Sequence, residues 1–134
     1  MLSRRLAVIG LFLAFTACGS DSPTGPSPYD QTVTGSVDIF GTNRHSLNIP
    51  RSGTMTLTLT WQDGAVDLDL YLVNTSCTIL YPKASCNIIQ SSSASSGTSE
   101  RISRSVSTGE NFNLFVDNLN LSRSQSYSIA INIQ

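Results

Sequence analysis

Two short runs in the middle of the chain alternate strictly between apolar and polar side chains. Successive side chains of a β-strand point to opposite faces of the sheet, so this period of two predicts two strands that each bury one face. The apolar positions of the first run, over residues 54–61, are Met55, Leu57, Leu59 and Trp61. Those of the second run, over residues 67–72, are Leu68, Leu70 and Leu72.

The dipeptide Asp63-Gly64 lies between the two runs and is a strong hairpin signal. With these two residues as the loop, every apolar side chain meets an apolar partner, whereas a shift of one residue would place leucines opposite threonines. The sequence therefore predicts one hairpin. Its apolar pairs are Leu59 with Leu68, Leu57 with Leu70, and Met55 with Leu72.

Similar short runs continue to the C terminus and predict an all-β domain over residues 29–134. Charged residues make up only 13% of the chain, and no long stretch carries helix formers at helical spacing. We expect about seven or eight antiparallel strands in a jelly-roll-like β-sandwich. Arg104 shares a predicted strand face with Ile102 and Val106, which requires either a β-bulge or an arginine that reaches out over a sheet edge.

The first 28 residues are predicted to lie outside this domain. Arg4 and Arg5 precede a short apolar run and then small residues, which is typical of a secretion signal over residues 1–17. The run is too short to span a bilayer, which takes about 20 residues, and a buried core helix fits poorly because Gly, Ser, Asp and Pro follow. Residues 18–28 are rich in these small and turn-forming types and predict a flexible tether.

The stretch Phe15-Thr16-Ala17-Cys18 resembles the lipobox of bacterial lipoproteins, although the family prefers Leu where Phe15 stands. The resemblance implies cleavage before Cys18, acylation of its sulfur, and the membrane as a partner. The alternative is an ordinary signal peptide with a chance cysteine. Gly19, rather than Asp, follows the cysteine, and by resemblance to lipoprotein sorting this favours the outer membrane.

Cys77 and Cys86 are the cysteines left once Cys18 is assigned to lipid. In the oxidising compartment of an exported protein we expect them to form a disulfide. A metal or redox pair is the alternative, but the spacing matches neither a zinc knuckle nor a C-x-x-C motif.

Five segments in order, residues 53–61, 67–72, 97–102, 108–116 and 127–133, together resemble the bacterial pre-peptidase C-terminal domain. Their sequences include Asp67-Leu-Asp-Leu-Tyr-Leu72 and Gly97-Thr-Ser-Glu-Arg-Ile102. The resemblance implies a small, non-catalytic β-sandwich. Some members of that family bind calcium, and some bind insoluble substrates such as collagen.

Calcium is therefore one hypothesis for the acidic residues of the second run. Calcium takes six to eight oxygen ligands, and Asp67, Asp69 and Asp63, with Glu100 from the family-like segment, would supply part of that shell. The alternative is a solvated acidic patch, or carboxylates paired with Arg101 or Arg104.

Composition narrows the function to binding or structure. Without residues 1–17 the chain carries six basic and nine acidic residues, a net charge of −3, which gives no footprint for nucleic acid. One histidine, His45, and no Gly-x-Ser-x-Gly elbow argue against an enzyme. We expect a lipid-anchored binding or adhesion module for a glycan, a peptide or an envelope protein. The alternative is a structural envelope lipoprotein, or a calcium-stabilised accessory subunit, without a ligand of its own.

Overall fold

The computed structural model describes residues 27–134. The predicted signal segment, Cys18 and nearly all of the predicted tether lie outside these residues. None of the helical structure within residues 27–134 is long and apolar enough to cross a membrane.

Eight antiparallel strands form two four-stranded sheets, in the orders β1-β8-β3-β6 and β2-β7-β4-β5. This is the strand order of a jelly roll, and it confirms the predicted all-β sandwich. The strands are β1 (Tyr29–Val37), β2 (Thr42–Asn48), β3 (Gly53–Trp61), β4 (Leu68–Asn74), β5 (Ile88–Ser92), β6 (Ser99–Val106), β7 (Asn111–Asn118) and β8 (Gln125–Ile133).

The core lies between the sheets and is built from the alternating apolar positions of both. Leu57 and Leu59 of β3 and all three leucines of β4 are fully buried, as the sequence predicts. Full burial of each such side chain contributes about 1.5–3 kcal/mol. The alternation that is visible in the sequence therefore supplies most of the driving force for closing the sandwich.

The predicted hairpin is wrong, because β3 and β4 lie in different sheets. β3 pairs with β6 on one side and β8 on the other, while β4 pairs with β7 and β5. The Asp-Gly segment does turn: the Asp63 carbonyl accepts from Val66 N at 3.0 Å, and its carboxylate accepts from Ala65 N at 2.9 Å. Trp61 Nε1 then donates to the Val66 carbonyl at 2.7 Å. The leucines of the two runs consequently face each other from opposite sheets.

A loop over residues 75–87 covers the outer face of the β2-β7-β4-β5 sheet. It contains a single-turn 3₁₀ helix, Lys83–Ser85, and is closed by the Cys77–Cys86 disulfide, which confirms that prediction. Asn113 Nδ2 donates to the Cys77 carbonyl at 2.8 Å and fixes the loop to β7. Beneath the loop lies a second apolar cluster, whose buried members are Tyr71, Val73, Cys77, Leu80 and Phe115.

Arg104 lies on β6, which is an edge strand of its sheet. The β3–β6 register is continuous, so β6 carries no bulge at Arg104. The Arg104 guanidinium lies 5.2 Å from the ring centroid of Phe112, a buried residue of β7 in the opposite sheet, in a cation–π contact. Of the two arrangements that the sequence allows, the β-bulge is absent, and the arginine reaches across to the opposite sheet.

Candidate functional site

Two buried carboxylates face each other across neighbouring strands beneath the disulfide loop. Asp69 of β4 and Asp117 of β7 are directly paired in the register, and their exposed fractions are 7% and 1%. Like charges directly opposite each other destabilise a sheet, so both need partners. The solvated patch that the sequence allows is therefore wrong for Asp69, which is buried.

Three side chains supply those partners and complete what we call the Asp69–Asp117 cluster. The Tyr71 hydroxyl donates to Asp69 Oδ2 at 2.7 Å, and the Tyr81 hydroxyl donates to Asp117 Oδ2. Lys83 Nζ donates to the Tyr71 hydroxyl at 2.6 Å and lies 3.5 Å from Asp117 Oδ2. The cluster thus holds two carboxylates against one ammonium.

The surroundings raise the pKa values of three members of the cluster, Asp69, Tyr71 and Tyr81. Burial raises the pKa of Asp69, and the nearby carboxylates of Asp67 and Asp117 raise it further, against the opposing effects of the Tyr71 hydrogen bond and Lys83. Burial, together with the hydrogen bonds to aspartate, also raises the pKa of Tyr71 and of Tyr81. Both tyrosines therefore remain hydrogen-bond donors at neutral pH, a state suited to holding carboxylates in place.

The four predicted calcium ligands are divided among different partners. Asp63 pairs with Arg123 at 2.5 Å, and the hydrogen bond from Ala65 N, then that from Arg123, lowers the pKa of Asp63. Asp69 belongs to the cluster described above. Within residues 27–134, no group of three or more acidic, histidine or cysteine side chains is placed to hold a metal ion.

Asp67 and Glu100 form a smaller acidic pair at the β5–β6 side. Glu100 is buried and accepts from Ala94 N at 2.6 Å and from the Ser92 hydroxyl. Burial, then the charge of Glu100, raises the pKa of Asp67. Asp67 Oδ1 is buried and has no hydrogen-bond partner in the described part of the chain. Calcium at these residues stays a prediction.

Exposed apolar side chains gather at the end of the sandwich next to Asp117. We define the apolar end surface as Ile39 and Phe40 of the β1–β2 turn, Leu119 and Leu121 of the β7–β8 loop, and Tyr81 of the disulfide loop. Their exposed fractions lie between 45% and 75%. Within this surface, Phe40, Tyr81, Leu119 and Asp117 line a cavity of about 220 Å³. The cavity joins the apolar end surface to the Asp69–Asp117 cluster through Tyr81 and Asp117.

The loops of this surface are held by one buried amide. Asn118 is fully buried, and its Nδ2 donates to the carbonyls of Asp38 at 3.1 Å and Arg123 at 2.8 Å. Phe40 N donates to the Asn120 carbonyl at 3.2 Å, which ties the two loops together. Phe40 has a φ of 54°, a left-handed conformation that is unfavourable by about 1–2 kcal/mol for a bulky residue. The surrounding hydrogen bonds therefore hold Phe40 in a backbone conformation that phenylalanine does not favour.

His45 lies apart from these groups and makes a hydrogen bond with Tyr127 within the sandwich. Its Nε2 is 2.6 Å from the Tyr127 hydroxyl oxygen. Burial lowers the pKa of His45 and raises the pKa of Tyr127 to about 12. Gly35 makes room for the tyrosine, because a Cβ there would lie 2.5 Å from the hydroxyl oxygen.

Comparison with known proteins gives a fold and no family. No protein-family model matches the sequence, and neither does any curated protein. Among solved structures, a periplasmic inhibitor of g-type lysozyme, PliG from Aeromonas hydrophila, matches with a TM-score of 0.57 and 14% identity over 78% of this chain and 86% of its own. The Yersinia pseudotuberculosis-derived mitogen matches with a TM-score of 0.56 and 17% identity over 81% and 88%.

A third match bears on the resemblance drawn from the sequence. The pre-peptidase C-terminal domain of a Bacillus anthracis collagenase has a TM-score of 0.56 and 16% identity, over 76% of this chain and 88% of its own. The fold of the chain is therefore like that of the pre-peptidase C-terminal domain, as the ordered segments predict. Identities this low establish the shared fold alone.

Asp69→Asn should change how stability depends on pH. The folded chain binds the Asp69 proton more tightly than the unfolded chain, because the pKa is raised on folding. The charged Asp69 carboxylate thus lowers the free energy of unfolding by its full amount above the pKa of the folded chain. This loss of stability is relieved as pH falls towards about 4, the pKa of an aspartate in the unfolded chain. We expect the melting temperature of the variant, relative to that of the unmutated chain, to be higher at pH 7 than at pH 4. An equal difference in melting temperature between the two chains at pH 4 and pH 7 would contradict the burial argument. Asp30→Asn serves as the control, because Asp30 is exposed.

Proposed function

We propose that this chain is a non-catalytic, lipid-anchored module of the bacterial cell envelope that binds another envelope component through its apolar end surface. Export is supported by the Cys77–Cys86 disulfide, because such bonds persist in oxidising compartments. The anchor at Cys18 and the outer membrane as its location rest on the lipobox resemblance and on Gly19.

The observation that carries the proposal is the position of the apolar end surface. The tether enters the domain at Tyr29, and β1 then runs nine residues to Val37, immediately before Ile39 and Phe40. At about 3.3 Å per residue the surface lies roughly 30 Å from the entry point. Contiguous exposed apolar groups on a soluble domain mark interaction sites. A module held by its N-terminal tether would present this end away from the anchor.

One structural neighbour supports the idea that this fold can act by binding another protein. PliG is described as an inhibitor of a lysozyme, which is a function exerted on another protein. We carry over only that class of function. The absence of a second histidine in the sequence and the structural roles of Tyr71, Tyr81 and Tyr127 support a module without catalytic activity.

Cys18→Ser tests the anchor. We expect the unmutated chain to incorporate labelled palmitate and to fractionate with membranes, because two or three acyl chains hold a protein stably on a bilayer. The serine variant should lose the label and leave the membrane fraction. An unmutated chain that takes up no label would favour an ordinary signal peptide and would contradict anchoring.

Photo-crosslinking in living cells tests the binding surface. A benzoylphenylalanine in place of Leu121, on the apolar end surface, should give a discrete adduct with an envelope component. The same probe in place of Ala130, an exposed residue of β8, should not. Equal adducts at both positions, or none at either, would favour the alternative of a structural lipoprotein without a ligand.

Calcium stabilisation is a second proposal, supported by the unpartnered Oδ1 of Asp67 beside Glu100. Under it, calcium raises the melting temperature of the unmutated chain above the value in chelator, and Asp67→Asn abolishes that difference. Asp63→Asn is the matched control, because Asp63 already pairs with Arg123. Identical melting of the unmutated chain in calcium and in chelator would remove the calcium hypothesis.

A further inference from the structure

We propose that the cavity in the apolar end surface receives a basic side chain of a protein partner, with apolar residues on either side of it. The inference rests on the proposed binding function and names the chemistry of its partner. The cavity is lined by Phe40, Tyr81, Leu119 and Asp117.

The size of the cavity favours a single side chain. Its volume of about 220 Å³ is below the roughly 300–1,000 Å³ of pockets that enclose a whole small molecule. Three of its four lining residues are apolar or aromatic, and the fourth is a buried carboxylate. A long side chain would place its apolar stem against the three exposed lining residues at the rim and its charged tip near the buried carboxylate at the floor.

The charge of the cavity floor selects a cation. Asp117 is 1% exposed and faces Asp69 across the strand pair, while Lys83 supplies one positive charge to the two carboxylates. The cluster also shows how a cation is held here, because Lys83 Nζ lies 4.3 Å from the Tyr71 ring centroid and 5.2 Å from that of Tyr81. A second cation can use the exposed rings of Phe40 and Tyr81 in the same way. An anion would meet two carboxylates whose charge is only partly offset by Lys83.

The rim of the cavity is organised before any partner arrives. Phe40 is exposed and has a φ of 54°. Hydrogen bonds from buried Asn118 fix the β1–β2 turn, which carries Phe40, and the β7–β8 loop. Strained backbone that the surrounding structure enforces is common at ligand-binding positions. A fixed rim also reduces the ordering that binding requires.

A bilayer surface is a poorer match for the same site. The buried carboxylates repel anionic lipid, and the cavity is at the end of the domain opposite to the entry of the tether. Membrane insertion is accordingly an outcome that the experiment distinguishes.

The test uses the chain as cells export it, in nanodiscs if it carries lipid and in buffer if it does not. Binding of fluorescent acetyl-Leu-Arg-Leu-amide is compared by anisotropy with peptides that carry citrulline, the neutral analogue of arginine, or glutamate at the centre. We expect the arginine peptide to bind about tenfold more tightly than either. Asp117→Asn should remove the preference for arginine over citrulline. This arrangement keeps the result independent of whether the chain is anchored.

Phe40→Asn separates binding from folding. Asparagine accepts a positive φ more readily than phenylalanine, so the variant should melt no lower than the unmutated chain and yet bind the arginine peptide about tenfold more weakly. Ile79→Asn is the matched control: Ile79 is 70% exposed and lies outside the cavity lining, so binding should be unchanged.

Three results would overturn the proposal. They are equal affinities for the arginine, citrulline and glutamate peptides, full binding by Phe40→Asn, or an equal loss in Ile79→Asn. Binding to vesicles of phosphatidylethanolamine and phosphatidylglycerol that depends on Phe40, without peptide selectivity, would assign the surface to the membrane instead. A Leu121 crosslink in cells together with equal peptide affinities would leave the binding function standing and remove only the basic side chain.

Discussion

Strand β4 is buried on both of its faces, and the arrangement of the rest of the molecule follows from that constraint. Its leucines pack into the space between the sheets, while Asp69, Tyr71 and Val73 lie beneath the disulfide loop. A carboxylate in that position must be neutralised or hydrogen-bonded. The loop that shields Asp69 from water also carries Lys83 and Tyr81. One segment therefore both buries the two carboxylates and supplies groups that pair with them.

The sequence predicts the strands better than it predicts their partners. The alternation of leucine in β4 and of Met55, Leu57 and Leu59 in β3 identifies both strands and their buried faces. It does not specify whether the two buried faces are side by side or opposed, because both arrangements bring leucine against leucine. The Asp-Gly turn favours a hairpin locally, but the turn around Asp63 and the Trp61 hydrogen bond lead the chain into the second sheet.

The cluster beneath the loop depends on contacts that local patterns do not contain. Asp69 and Asp117 are 48 positions apart and meet only through the β4–β7 register. One signal was available: Phe115, at an outward position of its alternating strand, indicates that this face of the sheet is covered. Phe40 and Leu119 carry no comparable signal, because exposed apolar residues in turns are common and only the fold brings these two to one cavity.

The Cys77–Cys86 bond links the chemistry of the compartment to the exposure of charge. The loop that it closes spans a sequence separation of 9 residues, so its chain-entropy contribution is about 2–3 kcal/mol. Its larger effect is to hold a cover over an otherwise bare sheet face. Without the bond, only non-covalent contacts would hold the loop over Asp69 and Asp117, among them the hydrogen bond from Asn113 to the Cys77 carbonyl. The apolar end surface includes Tyr81 of this loop, so its complete form depends on a bond that persists under oxidising conditions.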